Sequence, residues 1–314
     1  MNRVKANIKL IVFYLLLVLL MNIISCRNST HKSSHASDIK NFNPIGYNLS
    51  NPDKTIILPH ILTEISGVTV IDSASVACVQ DENGIVFIYD LSRNEIKKQI
   101  TFHTHGDYEG ITRVDNTIYV LRSDGVLFKI LNYESSDLIT EIFSTGIRAR
   151  ENEGLCYDLK NNRLLIATKS NIGDGPEYEK KRPVYGFDFS SGAIMKEPVF
   201  DFDLSVIKRF VSDNNSVLKT KRKKKAQAKA PDFKFRPSAI GIHPLTNKLF
   251  VLSSIDHMLF VFDMNGTIEY SEKLNPELFN MPEGITFFKN GDMLISNEGK
   301  DKYPTILRFN YDRN

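Results

Sequence analysis

The sequence predicts an all-β fold, a β-propeller of five blades with six as the alternative, and three observations carry that reading. A short phrase recurs at an even spacing, the stretch between recurrences divides into four short strand-like runs, and the two ends of the chain complement each other. A period in the forties with several short strands per unit is what a propeller blade requires.

The recurring phrase is a carboxylate, a small residue and an apolar strand. It stands as Glu64-Ile65-Ser66-Gly67-Val68, Tyr108-Glu109-Gly110-Ile111-Thr112, Asn152-Glu153-Gly154-Leu155 and Pro282-Glu283-Gly284-Ile285-Thr286. A fifth copy, Pro237-Ser238-Ala239-Ile240-Gly241, carries serine in place of the acid. Counted on the acid or its serine, the intervals are 45, 44, 85 and 45 residues. The doubled interval reads as one blade plus an insertion. Residues 205–233 lack strand alternation and hold the run Lys219 to Lys225, whose like charges repel and stay solvated. A patch for anionic lipid or polymer is the functional alternative for that run.

The first unit shows its strands plainly, at Val68 to Ile71, Ser75 to Gln80, Ile85 to Asp90 and Glu95 to Phe102, separated by turn residues such as Asp81-Glu82-Asn83-Gly84. The last unit stops after Thr305 to Tyr311, one strand short. Lys54 to Leu58, ahead of the first repeat, supplies the missing strand and closes the ring without leaving an exposed edge.

The segment ahead of the propeller reads as an address. Arg3, Lys5 and Lys9 precede an apolar run from Leu10 to Met21 that is short for a membrane span. The run ends in Ile23-Ile24-Ser25-Cys26, which resembles the lipobox of bacterial lipoproteins. Residues 1–25 are then a signal peptide and Cys26 carries the lipid, with an uncleaved single-pass anchor as the alternative. Residues 26–49, rich in Ser, Asn, His and Lys, read as a flexible tether, and 50–314 as the propeller. The lipobox resemblance implies the cell envelope, and Arg27, in place of the Asp that resembles an inner-membrane retention signal, favours the outer membrane facing the periplasm.

Composition excludes some functions. A net charge of +3 is too small for a nucleic-acid surface, and part of it belongs to the signal segment and the lysine run. Cys78 and Cys156 sit in apolar runs on separate blades and read as buried free thiols. The sequence has no Cys-x-x-Cys, no phosphate loop and no Gly-x-Ser-x-Gly elbow. His103-Thr104-His105 offers two imidazoles without a third ligand at any recognisable spacing, and His243 before Pro244 reads as a turn residue.

Because the first strand of every blade lines the channel, the repeat itself defines a constellation. Glu64, Glu109, Glu153 and Glu283 converge on one mouth, with Ser238 completing the ring and Asp107 nearby. Carboxylates so gathered need a cation, an arginine or a raised pKa. Their hard oxygens suit Ca²⁺ best and Mg²⁺ less well. The structural alternative is that they lock blades together through hydrogen bonds, neutralised by Arg122, Lys169 or Arg236.

Taken in order, Leu62 to Gly67, Asp81-Glu82-Asn83-Gly84, Asp107-Tyr108-Glu109-Gly110-Ile111, Arg236-Pro237-Ser238, Pro282-Glu283-Gly284-Ile285 and Ser296-Asn297-Glu298 resemble the SdiA-regulated family of bacterial envelope proteins. The similarity runs from about Ile56 to Phe309 and is interrupted at the basic insertion. The resemblance implies a five-bladed propeller distantly similar to NHL-repeat proteins, with a calcium site and no settled enzyme activity. The expected function is a calcium-binding, non-catalytic interaction module held at the membrane through Cys26, with an envelope protein or a small anionic ligand as partner and no nucleic acid. The alternative is a metal-dependent hydrolase of phytase-like or lactonase-like type, with Glu153 or Asp107 as general base.

Overall fold

In the computed structural model, residues 44–219 and 233–313 are described. The signal segment, Cys26, most of the tether and all but the first residue of the lysine run lie outside them. The first blade pairs β2 (Ile65–Val70), β3 (Ser75–Gln80), β4 (Ile85–Asp90) and β5 (Glu95–Thr101); the second pairs β6 (Tyr108–Val114), β7 (Thr117–Arg122), β8 (Val126–Leu131) and β9 (Ile139–Ser144). In the third, β10 (Asn152–Asp158), β11 (Arg163–Thr168) and β12 (Lys181–Asp188) are followed by two short partners of β12, β13 (Ala193–Ile194) and β14 (Phe200–Asp203). The fourth holds β15 (Ala239–Ile242), β16 (Leu249–Ser253), β17 (Met258–Phe262) and β18 (Ile268–Lys273).

The fifth blade is assembled from both ends of the propeller. β19 (Pro282–Phe287), β20 (Met293–Asn297) and β21 (Thr305–Phe309) take β1 (Lys54–Ile57) as their outer strand, with Ile56 opposite Ile306. The ring is thus five blades, closed where the sequence predicts.

Middle strands are buried on both faces because each blade is covered by a neighbour on either side. In β3, Val76 and Cys78 point into the interface with the fifth blade, while Ala77 and Val79 point into the interface with the second. This two-residue alternation turns one apolar run into two half-cores. Five apolar clusters result, one at each blade interface. Outer strands face water and read accordingly, as in the Glu-Ile-Lys-Lys-Gln-Ile-Thr of β5. Cys78 and Cys156 are buried free thiols in different interfaces, and burial pushes the Cys78 thiol up to about 12.

Two boundaries differ from the sequence reading. Tyr47 and Leu49 are buried, and Tyr47 donates to the Gly291 carbonyl, so the residues just before 50 belong to the propeller. Burial of one tyrosine outweighs the polar composition around it. The insertion is not wholly irregular either, since Leu204–Lys219 forms a helix, α2, after a short α1 (Pro176–Glu179). Ile207 and Val211, one turn apart, pack with Phe202, Phe233 and Phe235. A search for strand alternation misses this helical spacing. His243 is buried in a turn, where its Nδ1 accepts from the amides of Leu245 and Thr246, a structural role.

Candidate functional site: the carboxylate mouth

Four of the five inner strands begin with a shared irregularity. Register slips between Ile65 and Gly67, Tyr108 and Gly110, Asn152 and Gly154, and Pro282 and Gly284. Each slip leaves one bulged residue, and a bulge re-aims a side chain out of the regular ladder. The bulged residues are Ser66, Glu109, Glu153 and Glu283, and Ser238, just ahead of β15, occupies the corresponding place in the fourth blade. The two serines behave alike. Ser66 Oγ donates to the Tyr108 carbonyl at 2.5 Å and Ser238 Oγ to the Pro282 carbonyl at 3.0 Å, in each case the residue before the glutamate of the next blade.

The ring is therefore Ser66, Glu109, Glu153, Ser238 and Glu283. Glu64 lies two residues ahead of the ring position and is exposed. Counting the repeat on the residue that follows (Gly67, Gly110, Gly154, Ala239, Gly284) instead of on the acid selects Ser66 directly. Small residues there allow the blades to approach at the axis. A Cβ on Gly110 would stand 2.7 Å from the Leu155 Cβ and 2.8 Å from the Glu153 carbonyl. The space between the ring residues is about 10 Å³, on the order of one water.

Lys169, in the connection after β11, reaches into the ring and holds Glu153 Oε1 at 2.5 Å. Glu153 Oε2 is buried without a hydrogen-bond partner. Burial raises the pKa of Glu109, and the charges of Glu153 and Asp107 raise it further. Burial likewise raises Glu153, followed by the charge of Glu283, against the pull of Lys169. Burial also raises Glu283, opposed by Lys169 and by the hydroxyls of Ser254 and Ser238. For Lys169, burial favours the neutral amine, but Glu153, Glu283 and Glu109 more than offset it and hold the ammonium charged. Lys169 thus serves three glutamates, and the charge of Lys300 acts on Glu283 as well.

A second tier of acids surrounds the ring. Glu298 is raised to about 7 by burial and the charge of Glu283. Asp81 is raised to about 6 by burial and the charges of Glu64, Glu82 and Asp107. Buried acceptor oxygens without partners recur here, at Asp81 Oδ1, Asn152 Oδ1 and Asn297 Oδ1. Asp107 is exposed at the rim and touches the ring through its charge on Glu109. Arg122 is committed elsewhere, paired with Asp124 at 2.8 Å, and His103 Nδ1 lies 3.1 Å from the Tyr108 hydroxyl. The donors gathered here are all oxygen, the ligand type that hard cations take. As the side chains stand, the described residues hold no group of three or more His, Cys, Asp or Glu placed to enclose a metal.

The opposite end of the channel differs in kind. There the inner strands end around an opening of about 850 Å³ lined by apolar residues such as Val70, Ile111, Ile285 and Phe287, with Arg113 and Lys289 also lining it. It is larger than the acid mouth but gathers no acids beyond Asp72. The described residues include no helix long and apolar enough to cross a membrane.

No protein-family model and no curated protein matches the chain. Its solved structural neighbours are β-propellers. The Myxococcus xanthus glutaminyl cyclase aligns over 83% of this chain and 96% of its own at 11% identity, with a TM-score of 0.54. The virginiamycin B lyase of Staphylococcus aureus aligns over 82% and 73% at 14% identity, with a TM-score of 0.43. At such identity the likeness is one of fold, and the chain is a five-bladed β-propeller whose channel begins in a ring of three glutamates and two serines.

Proposed function

We propose that the protein is a non-catalytic binding module of the bacterial envelope that uses the carboxylate mouth to hold a cation, calcium being the ion its oxygens suit, and that a lipid on Cys26 keeps the propeller at the membrane. The observation that carries the reading is the charge imbalance of the ring. Glu109, Glu153 and Glu283 share one lysine, and Glu153 keeps a buried oxygen without a partner. With all three ionised, the group carries two negative charges in excess of Lys169, which matches a divalent ion. Ring glutamates and the Asp81 or Asn152 oxygens would hold the ion, and Lys169 would yield its place on Glu153. The bound ion would tie blades together at the axis and fix the loops that surround the mouth. The resemblance to the SdiA-regulated family supports the same ion and the same location.

Calorimetric titration of calcium into EDTA-stripped protein tests the reading. Wild type should bind calcium, and the E109Q/E153Q double variant, which keeps the shape but loses two charges, should not. Equal calcium binding by both would place the ion elsewhere, and none by either would end the proposal.

A further inference from the structure

Beside the acid mouth the chain builds a pocket of opposite charge. Arg148 and Arg150 lie in the crossover between β9 and β10, Arg182 on β12, and Arg236 just ahead of β15. Together with Ser170 and Asn171 they line a cavity of about 320 Å³. Among the described residues none of these four guanidiniums has a carboxylate within ion-pair distance, whereas Arg93, Arg122, Arg163 and Arg308 each do. Asp174 lines the same cavity without reaching them.

Arg182 makes the case specific. It is only 6% exposed, its Nη1 donates to the carbonyls of Glu179 and Lys181, and its buried Nε has no partner. Burial, and then the positive charge of Arg236, pulls its pKa below the ordinary arginine value. A buried cation facing a second cation is costly unless an anion joins them. Ser170 Oγ accepts from the Glu151 amide, which leaves its hydroxyl proton available to a ligand.

We propose that this pocket is a binding site for a phosphate group, either free or as a small phosphate monoester. Planar guanidiniums present paired N–H donors that match phosphate oxygens, and several of them around one cavity suit a dianion. The cavity exceeds the volume of phosphate itself, so a small organic remainder fits beside the charged group. The site is independent of any cation at the glutamate ring, though both open from the same stretch of chain: Arg150 and Glu153 flank Glu151 and Asn152, and Lys169 precedes Ser170.

Thermal unfolding in EDTA, against chloride at equal ionic strength, separates this site from any calcium effect. Inorganic phosphate or glycerol 3-phosphate at about 10 mM should raise Tm by about 3 °C through binding to the folded state. Arg182 is buried and its replacement endangers folding, so the test variant is R148Q/R150Q, at two exposed positions. That variant should unfold at the wild-type temperature in chloride and lose the response. A stronger response to inorganic phosphate assigns the free anion, and a stronger response to glycerol 3-phosphate the ester. No rise with either compound, or a rise undiminished in R148Q/R150Q, overturns the proposal.

Discussion

The acid mouth and the arginine pocket are neighbours with opposite charge and different origins. The mouth is made by repetition, since a bulge at the start of four inner strands, and Ser238 at the corresponding place ahead of β15, send one side chain per blade to the axis, and five blades make a ring. The pocket is made once, from a crossover, a β12 residue and the entry to the fourth blade. Both carry charge in excess of their internal partners. The mouth compensates in part, through Lys169 and raised pKa values, whereas arginines stay charged at any ordinary pH. A carboxylate cluster can wait for its ligand by taking up protons; a guanidinium cluster cannot.

The largest expected effect comes from removing the cation that the three ring glutamates share. K169M should destabilise the protein by about 3 kcal/mol in urea unfolding, because a buried charge is left without its partner. Adding E153Q to K169M should recover part of that loss. An effect on the scale of an exposed pair, below about 1 kcal/mol, would show that Lys169 is not the mouth's compensating charge.

The two regions should also separate by pH. Asp81 at about 6 and Glu298 at about 7 lie above the values these groups have in an unfolded chain, so the folded state holds protons that the unfolded state releases. Their contribution is full below the unfolded values near 4 and is lost as pH rises through 6 to 7, by about 2 kcal/mol in all after allowance for solvent screening. D81N/E298Q should flatten the metal-free stability profile over that window, and R148Q/R150Q should leave its slope unchanged. A steeper slope in D81N/E298Q would reverse the assignment.

The smallest effect belongs to the pocket in the absence of ligand. R236Q removes the charge that faces Arg182 and should raise stability by about 0.5 kcal/mol in phosphate-free buffer. A loss of that size would mean that Arg236 holds the fold rather than awaits an anion.

The sequence reveals what is repeated. The blades, the closing strand Lys54–Ile57 and the glutamates at 109, 153 and 283 all follow from one phrase and its period. Glu64 misleads because an acid two residues early imitates the phrase, whereas Gly67 and its counterparts, constrained by the close approach of the next blade, keep the true register. Lys169 is nameable among neighbouring cations, but its choice of Glu153 depends on where the connection after β11 folds back. The arginine pocket is hidden for the same reason. Arg148 and Arg236 are 88 positions apart in non-repeating connections, and nothing in their spacing announces that they share a cavity.

On the proposed function, the carboxylate mouth is a cation site in which Lys169 leaves charge to be met. The most direct test is thermal unfolding of EDTA-stripped protein, shown metal-free by elemental analysis, with and without calcium at about 1 mM. Wild type should unfold several degrees higher in calcium, and E109Q/E153Q should unfold at an unchanged temperature. An unchanged Tm in wild type would contradict the proposed function, and the ring glutamates would then stand as residues that lock the blades to one another.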